Sequence, residues 1–420
     1  YGAGSAPIID AALELSRDEW VEQGPSTWVY TAKLRQAERL IIDDRRIDRK
    51  PELISADPPG TWAWAAGKLH LRCAGHPRDA FGRIVAITRT CVQFIDADGG
   101  TARGIAAVNG VHGFLGQRSS RVSLFDCSAV ECAKNGFYLA NDVSDWKIVN
   151  CRSERNGGAG FALNYGASNS TIQSSSGNRN RVDGCQFSEG CGSGNALIDC
   201  VFNENDIAGI NCKEKKQKAL RCRMEANGEA GAIAQNNTDV FEISDSIFIG
   251  NNRADNGTMN LALEDHAKVV STRNIFVGPY GKGKSAVNVR LIGRSSLQSV
   301  TDCFIDADKA ANVVASIRVA TTEPSALTIS HGSFYNVSSK IGRVIDCRGA
   351  SKLELSISNT AVAGVSTCLS YDAGCKVSSS HNCYHNFSGG TIIDVSGVAT
   401  RHVTKENLRG FARANGVEQG

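Results

Sequence analysis

Proline is scarce in this chain, at 8 of 420 residues, while glycine is plentiful at 43. That balance supplies many bends but none of the proline-rich linkers that separate independent units, so one elongated domain is the simplest organisation. Long apolar runs are missing as well. No stretch approaches the roughly 18 residues that a membrane-spanning helix requires, and no membrane span is expected. Charge of one sign is absent too: 46 basic residues against 43 acidic leave +3, too balanced to argue for a nucleic-acid partner. The 15 cysteines include no C-x-x-C pair, which removes the usual zinc-site spacing, and their odd, ladder-like set speaks against a disulfide framework.

What is present is a repeat. Gly113, Gly136, Gly160, Gly184, Gly209 and Gly231 follow one another at steps of 23, 24, 24, 25 and 22 residues. Nine residues before each glycine from the second onward stands Cys127, Cys151, Ser175, Cys200 or Cys222. Four before stands Asn109, Cys132, Asn156, Asn180, Asn205 or Asn227. Apolar residues alternate after the glycine, as in Phe137 and Leu139 or Phe161 and Leu163, the period of a strand.

A unit of about 24 residues is too small to own a core and must bury its apolar side chains against the units before and after it. A leucine-rich repeat would require Leu-x-x-Leu-x-Leu in each period, whereas glycine, cysteine and asparagine hold these columns. The pattern predicts an all-β fold, a parallel β-helix whose coils stack like side chains on like at about 4.8 Å. Ten to twelve coils make a rod on the order of 50 to 60 Å long. The cysteine column is read as small buried filling and the asparagine column as an amide ladder between coils. After Asn251 the period lengthens, which predicts longer loops on one side.

Residues 1–95 do not follow the repeat and read as a β-rich N-terminal cap module. Thr61–Trp64 and Lys68–Leu71 form a hairpin suited to cover an open coil. The solenoid is placed at 96–400, and 401–420 is a C-terminal extension with a short helix over Thr404–Asn415. A chain beginning at Tyr1 without methionine suggests a removed leader or propeptide.

The unit Ile148-Val149-Asn150-Cys151, through Asn156 to Gly160-Phe161-Ala162-Leu163, resembles the right-handed parallel β-helix superfamily of pectate lyases, polygalacturonases and phage tailspikes, over roughly residues 100–395. The resemblance implies a right-handed solenoid and a polysaccharide or oligosaccharide partner laid across one strand face. It implies an extracellular or periplasmic location, or a phage virion, and a monomer or homotrimer. The polygalacturonase set of Asn-x-Asp, Asp-Asp, Gly-His-Gly and Arg-x-Lys is missing, as is the Asp-Pro-His-Asp of mannuronan epimerases.

With Phe161 and Leu163 inward, the alternate positions form a groove floor. Tyr138, Asn164, Tyr165, Gln186, Asn211, Gln235, Asp265 and Arg318 are the candidate substrate-binding residues. Cleavage of an acidic glycan by β-elimination requires cations that neutralise the uronate carboxylate and a base that removes the adjacent C5 proton. Arg290 or Arg318 would grip the carboxylate, Lys213 or His266 would take the proton, and Tyr138 or Tyr165 would protonate the leaving oxygen. Hydrolysis would instead use paired carboxylates, for which Asp183, Asp206, Glu264 and Asp265 are the candidates. Asp183 before Gly184 looks like a position where some β-helix lyases hold Ca²⁺, and Asp206 would complete an oxygen-rich pair. A non-catalytic glycan-binding rod, such as a tailspike body or adhesin, would use the same groove without turnover.

Overall fold

The computed structural model describes residues 7–404, apart from 55, 215, 237, 254–258, 279–285, 307–312, 337–342, 364–366, 373, 386–390 and 397–400. The chain winds as a right-handed parallel β-helix built on three sheets. One coil contributes a strand to each sheet in turn: Val92–Ile95 to sheet one, Asp98–Arg103 to sheet two, Ala106–Val108 to sheet three, then Phe114–Gln117 back in sheet one. Each strand pairs in parallel with its counterpart one coil away, as Phe137–Leu139 does with Phe161–Leu163.

The residue columns explain the winding. Between sheets two and three a single residue in the left-handed region turns the chain: Asp126, Asn150, Ser174, Asp199, Arg221, Asp245 and Arg273 have φ between 48° and 56°. Asp and Asn tolerate that region better than most side chains. The next residue points into the narrow corner. Cys127, Cys151, Cys200 and Cys222 occupy it at 0–2% exposure, and where serine replaces cysteine its hydroxyl accepts from the coil before, as Ser175 Oγ does from Cys151 N at 3.0 Å.

At the corner between sheets three and one the amide ladder forms as the spacing predicts. Asn156, Asn180, Asn205 and Asn227 are buried, and the side-chain oxygen of Asn180 accepts from both the backbone and the side-chain nitrogen of Asn156 at 3.1 and 2.9 Å. Asn109 departs from the ladder, turning outward to Asp10. A third ladder at the corner between sheets one and two, Ser170 to Asn195 to Gln217, was not foreseen. Between the corners, phenyl rings stack: Phe114, Phe137 and Phe161 under sheet one at 4.8–4.9 Å, and Phe248, Phe276, Phe304 and Phe334 under sheet three at 4.6–5.0 Å.

The added length of later coils falls at one corner. The connection from sheet three to sheet one is 204–207 in an early coil but 250–258 and 278–285 later. At the far end Arg401–Thr404 pairs antiparallel with Thr391–Ser396. The helix expected from Thr404 onward lies, beyond that residue, outside the described residues.

Ahead of the solenoid, Ile8–Asp10 is the first strand of sheet three, pairing with Ala106–Val108. Two four-stranded antiparallel sheets follow, and one of them contains the hairpin of Trp62–Ala65 with Lys68–Arg72. They enclose a separate core of Trp20, Leu40, Trp62, Leu69 and Leu71. This module joins the flank of the early coils by polar contacts: Arg39 donates to the carbonyls of Cys132 and Ala133 at 3.3 Å, and Glu38 pairs with Lys134.

Candidate functional site

Register fixes the outer face of sheet one. Tyr138, Ala162, Gln186, Asn211, Ile233, Ala262, Arg290 and Arg318 stand directly over one another, one per coil. Two residues along each strand lies a second row of Asn164, Ser188, Lys213, Gln235 and Glu264, each held by its backbone N–H to the coil before.

The floor is less open than alternation alone implies. Ala162, Asn211, Ile233 and Ala262 are buried, because Ile233 packs with Ala208, Ala230, Ala262 and Val287 into a small apolar cluster on the outside of the sheet. Asn211 spends its side-chain oxygen on the Gln235 amide at 3.0 Å. Tyr138 does not face open groove: His112 stacks on it at 4.6 Å and 12°. Burial pushes His112 down to about 4, and nearby Lys134 adds to the effect.

Asp183 and Asp206 are not brought together. Asp183 is fully buried, one carboxylate oxygen accepting from Ala208 N at 3.1 Å and the other without a partner among the described residues. Desolvation pushes its carboxyl up to about 7, against the pull of the Ala208 N–H, Asn211 and Lys213. Asp206 is exposed at the far edge of the sheet, 3.4 Å from Arg253. A step of 23 residues from Asp183 shifts the row by two positions relative to the 25-residue step between Gly184 and Gly209, which carries Asp206 into the bend. Among the described residues no group of three or more His, Cys, Asp or Glu could hold a metal ion. Asp183 and Asp206 do not form the oxygen-rich pair expected for a calcium ion.

Arg290 and Arg318 do meet, paired in register on adjacent coils. Among the described residues no carboxylate lies within 4.0 Å of either guanidinium, whereas Arg118, Arg179, Arg221, Arg273 and Arg348 each grip one. Arg290 is half-buried, and desolvation followed by the charge of Arg318 lowers its pKa, with Glu264 opposing. Glu264, one coil earlier, is raised by burial, with Asp265 and Glu229 adding to the shift and Arg290 opposing it.

Glu264 leads into a trough at the corner between sheets one and two. Lys213, Asp265 and His266, all foreseen as candidates, line it together with Glu189, Glu214, Asp239, Lys268 and Arg294, around a volume of about 930 Å³. A second hollow of about 390 Å³ shares His266, Lys268 and Arg294 and ends at Lys352 and Glu354. Asp265 and His266 occupy consecutive left-handed positions, φ 45° and 71°, a turn that Asp and His tolerate and that projects the imidazole outward. Tyr165 is exposed beside Gly190, near the opposite end.

The tyrosines are far from the arginines. Tyr138 lies six coils before Arg290 along one row, roughly 29 Å at about 4.8 Å per coil. Lys213 is three coils away, and Glu264 is one. The compact set is Glu264, Arg290 and Arg318, with Asp265 and His266 next along the chain.

The family described as a right handed beta helix region matches residues 83–219, about a third of the chain. No curated protein matches. Among solved structures, the A-module of mannuronan C-5 epimerase AlgE6 from Azotobacter vinelandii is 12% identical with a TM-score of 0.48, over 65% of this chain and 84% of that one. Pectate lyase Pel9A is 14% identical with a TM-score of 0.32, over 61% and 68%. Tailspike gp61 of Pseudomonas phage phi297 is 11% identical with a TM-score of 0.48, over 86% and 66%. The matched segment and the three-sheet winding make this fold a right-handed parallel β-helix.

Proposed function

We propose that the protein is a glycan-degrading enzyme that cleaves a uronate-containing polysaccharide by β-elimination, outside the cytoplasm where such polymers occur. One observation carries this reading: two half-buried arginines in register on adjacent coils, with no carboxylate of their own among the described residues, beside a carboxyl whose pKa burial has raised. Arginines left in that state favour a planar carboxylate from a ligand, which they bind with two parallel N–H donors each.

The chemistry follows. Arg290 and Arg318 neutralise the uronate carboxylate and stabilise the charge that develops when the C5 proton leaves. Glu264, ionised but with a raised pKa, takes that proton. The electron pair forms the C4–C5 double bond as the C4–O bond breaks, and His266 returns a proton to the leaving oxygen. Flanking sugars lie along the trough toward Lys213.

The trough also holds Glu189, Glu214, Asp239 and Asp265, which favours hydrolysis by paired carboxylates as the second reading. Incubation with a panel of uronic and neutral glycans separates the two. Absorbance of an unsaturated uronate together with new reducing ends supports elimination, and reducing ends alone support hydrolysis. Neither signal from any glycan rejects turnover and leaves a binding rod.

A further inference from the structure

A second cluster of cations lies on the other edge of sheet one, where the N-terminal module meets the early coils. Arg39, Arg46, Arg155, Arg179 and Arg181 line one cleft of about 340 Å³ there, with Asp48 and Asp206 as its acids. Arg155 and Arg179 sit one coil apart at equivalent bend positions, both with positive φ, so their guanidiniums rise in a column. Arg39 and Arg46 come from the opposite wall, on the strands Arg39–Ile42 and Arg45–Asp48.

The arginines are held in place from behind. Glu204 takes Nε and Nη2 of Arg179 at 3.0 and 3.2 Å. Glu131 takes Nε of Arg155 at 3.1 Å and also pairs with Arg46, and Glu154 takes Nη1 of Arg155 at 3.3 Å. Asp48 takes Nη1 of Arg181. Glu131 and Asp48 each bridge two guanidiniums, while Nη1 of Arg179 and Nη2 of Arg181 have no partner among the described residues. Gly157 makes the seat for Arg39, since a Cβ there would stand 2.2 Å from its Nη2. Arg39 itself is 6% exposed, and burial together with the charges of Arg46 and Arg181 lowers its pKa against the pull of Asp48. Guanidiniums paired from behind, fixed in orientation and approaching from two walls present their remaining N–H groups from several directions, as the oxygens of a tetrahedral anion require.

We infer that this cleft binds a tetrahedral oxyanion, a sulfate or phosphate group either free or carried as an ester on a glycan. The site is separate from the Arg290–Arg318 pair and does not depend on β-elimination. Calorimetric titration of the whole chain with sodium sulfate and with dextran sulfate, ionic strength held with chloride, tests it. Sulfate should bind the parent and the Arg290→Gln variant alike, and at least tenfold more weakly the Arg179→Gln/Arg181→Gln double variant. Tighter binding of dextran sulfate through the same arginines identifies an ester on a polymer, and equal binding per sulfate identifies the free ion. Should the double variant melt early, Arg179→Gln alone repeats the measurement, because its Glu204 partner is at the surface. Sulfate that binds no better than chloride, or that binds the arginine variants as it binds the parent, overturns the proposal.

Discussion

The early and late coils of the solenoid solve the same corner differently. In the early coils the residue just before the inward-facing Phe137, Phe161, Cys185, Ile210 or Ala232 of sheet one is glycine, and a Cβ at Gly160 or Gly209 would stand 2.6 Å from the carbonyl oxygen of the next glycine in the column. From Asn260 onward that row holds Asn260, Asn288 and Ser316, all buried. The amide ladder has moved across the corner: Asn251 donates to Asn260, and Asn260 to Asn288, each at 2.7 Å. Where the ladder leaves the bend, the connection lengthens and the outer row turns from alanine and isoleucine to Arg290 and Arg318. A tight corner builds scaffold, and relaxing it gives the face room for charged groups.

Gly160→Val should give the largest effect. Its side chain would press on backbone that cannot yield, at a cost of about 3 kcal/mol or more, read as a lower denaturation midpoint. Asn288→Val in the late coils should cost less, about 1–3 kcal/mol for the unpaired Asn260 amide. Equal losses would break the distinction between the two corners.

Arg290→Ala should lower kcat/KM about 100-fold, or roughly 2.7 kcal/mol, with little change in melting temperature. Gln186→Ala, on the same row in the early coils, should stay within a few-fold of the parent. If both lose activity equally, the late coils are not where the chemistry sits.

The buried carboxyl of Asp183 is raised in the fold to about 7. The native state then holds a proton that the unfolded chain gives up near pH 4, so this group's stabilisation is full at low pH and is lost as pH rises toward 7. His112, held at about 4, acts with the opposite sign, its contribution fading as pH falls below 6.5. The difference between parent and Asp183→Asn isolates the aspartate: between pH 5 and 7 the parent should lose about 2 kcal/mol relative to the variant. Parallel pH profiles would show that Asp183 is not a buried acid.

Lys213→Ala should have the smallest effect, about tenfold on kcat/KM or 1.4 kcal/mol, because Lys213 lies three coils from Arg290 and touches only the flanking sugars. A loss as large as that of Arg290→Ala would move the proton transfer toward Lys213.

The architecture was legible because stacking makes the sequence repeat: Cys151 and Asn156 recur since the coil below presents the same corner. The pairing of Arg290 with Arg318 was legible for the same reason, both lying two residues beyond the ladder row. Burial was not. Asn211 and Ile233 alternate outward like Gln186, yet packing outside the sheet covers them, and nothing in the period reports that packing. Glu189, Asp239, Lys268 and Arg294 were missed because the bend from sheet one to sheet two changes length between coils, 188–195 in one and 213–216 in the next, so no fixed spacing marks them. His112 was missed because it precedes the repeat's first glycine and meets Tyr138 only through the stack.

A crystal structure with a uronate oligosaccharide bound tests the central claim most directly. The account predicts a sugar carboxylate within hydrogen-bonding distance of the guanidiniums of both Arg290 and Arg318, with the C5 carbon of that sugar facing Glu264. An oligosaccharide seated over Tyr138 to Gln186, with Arg290 and Arg318 free of it, would contradict the account.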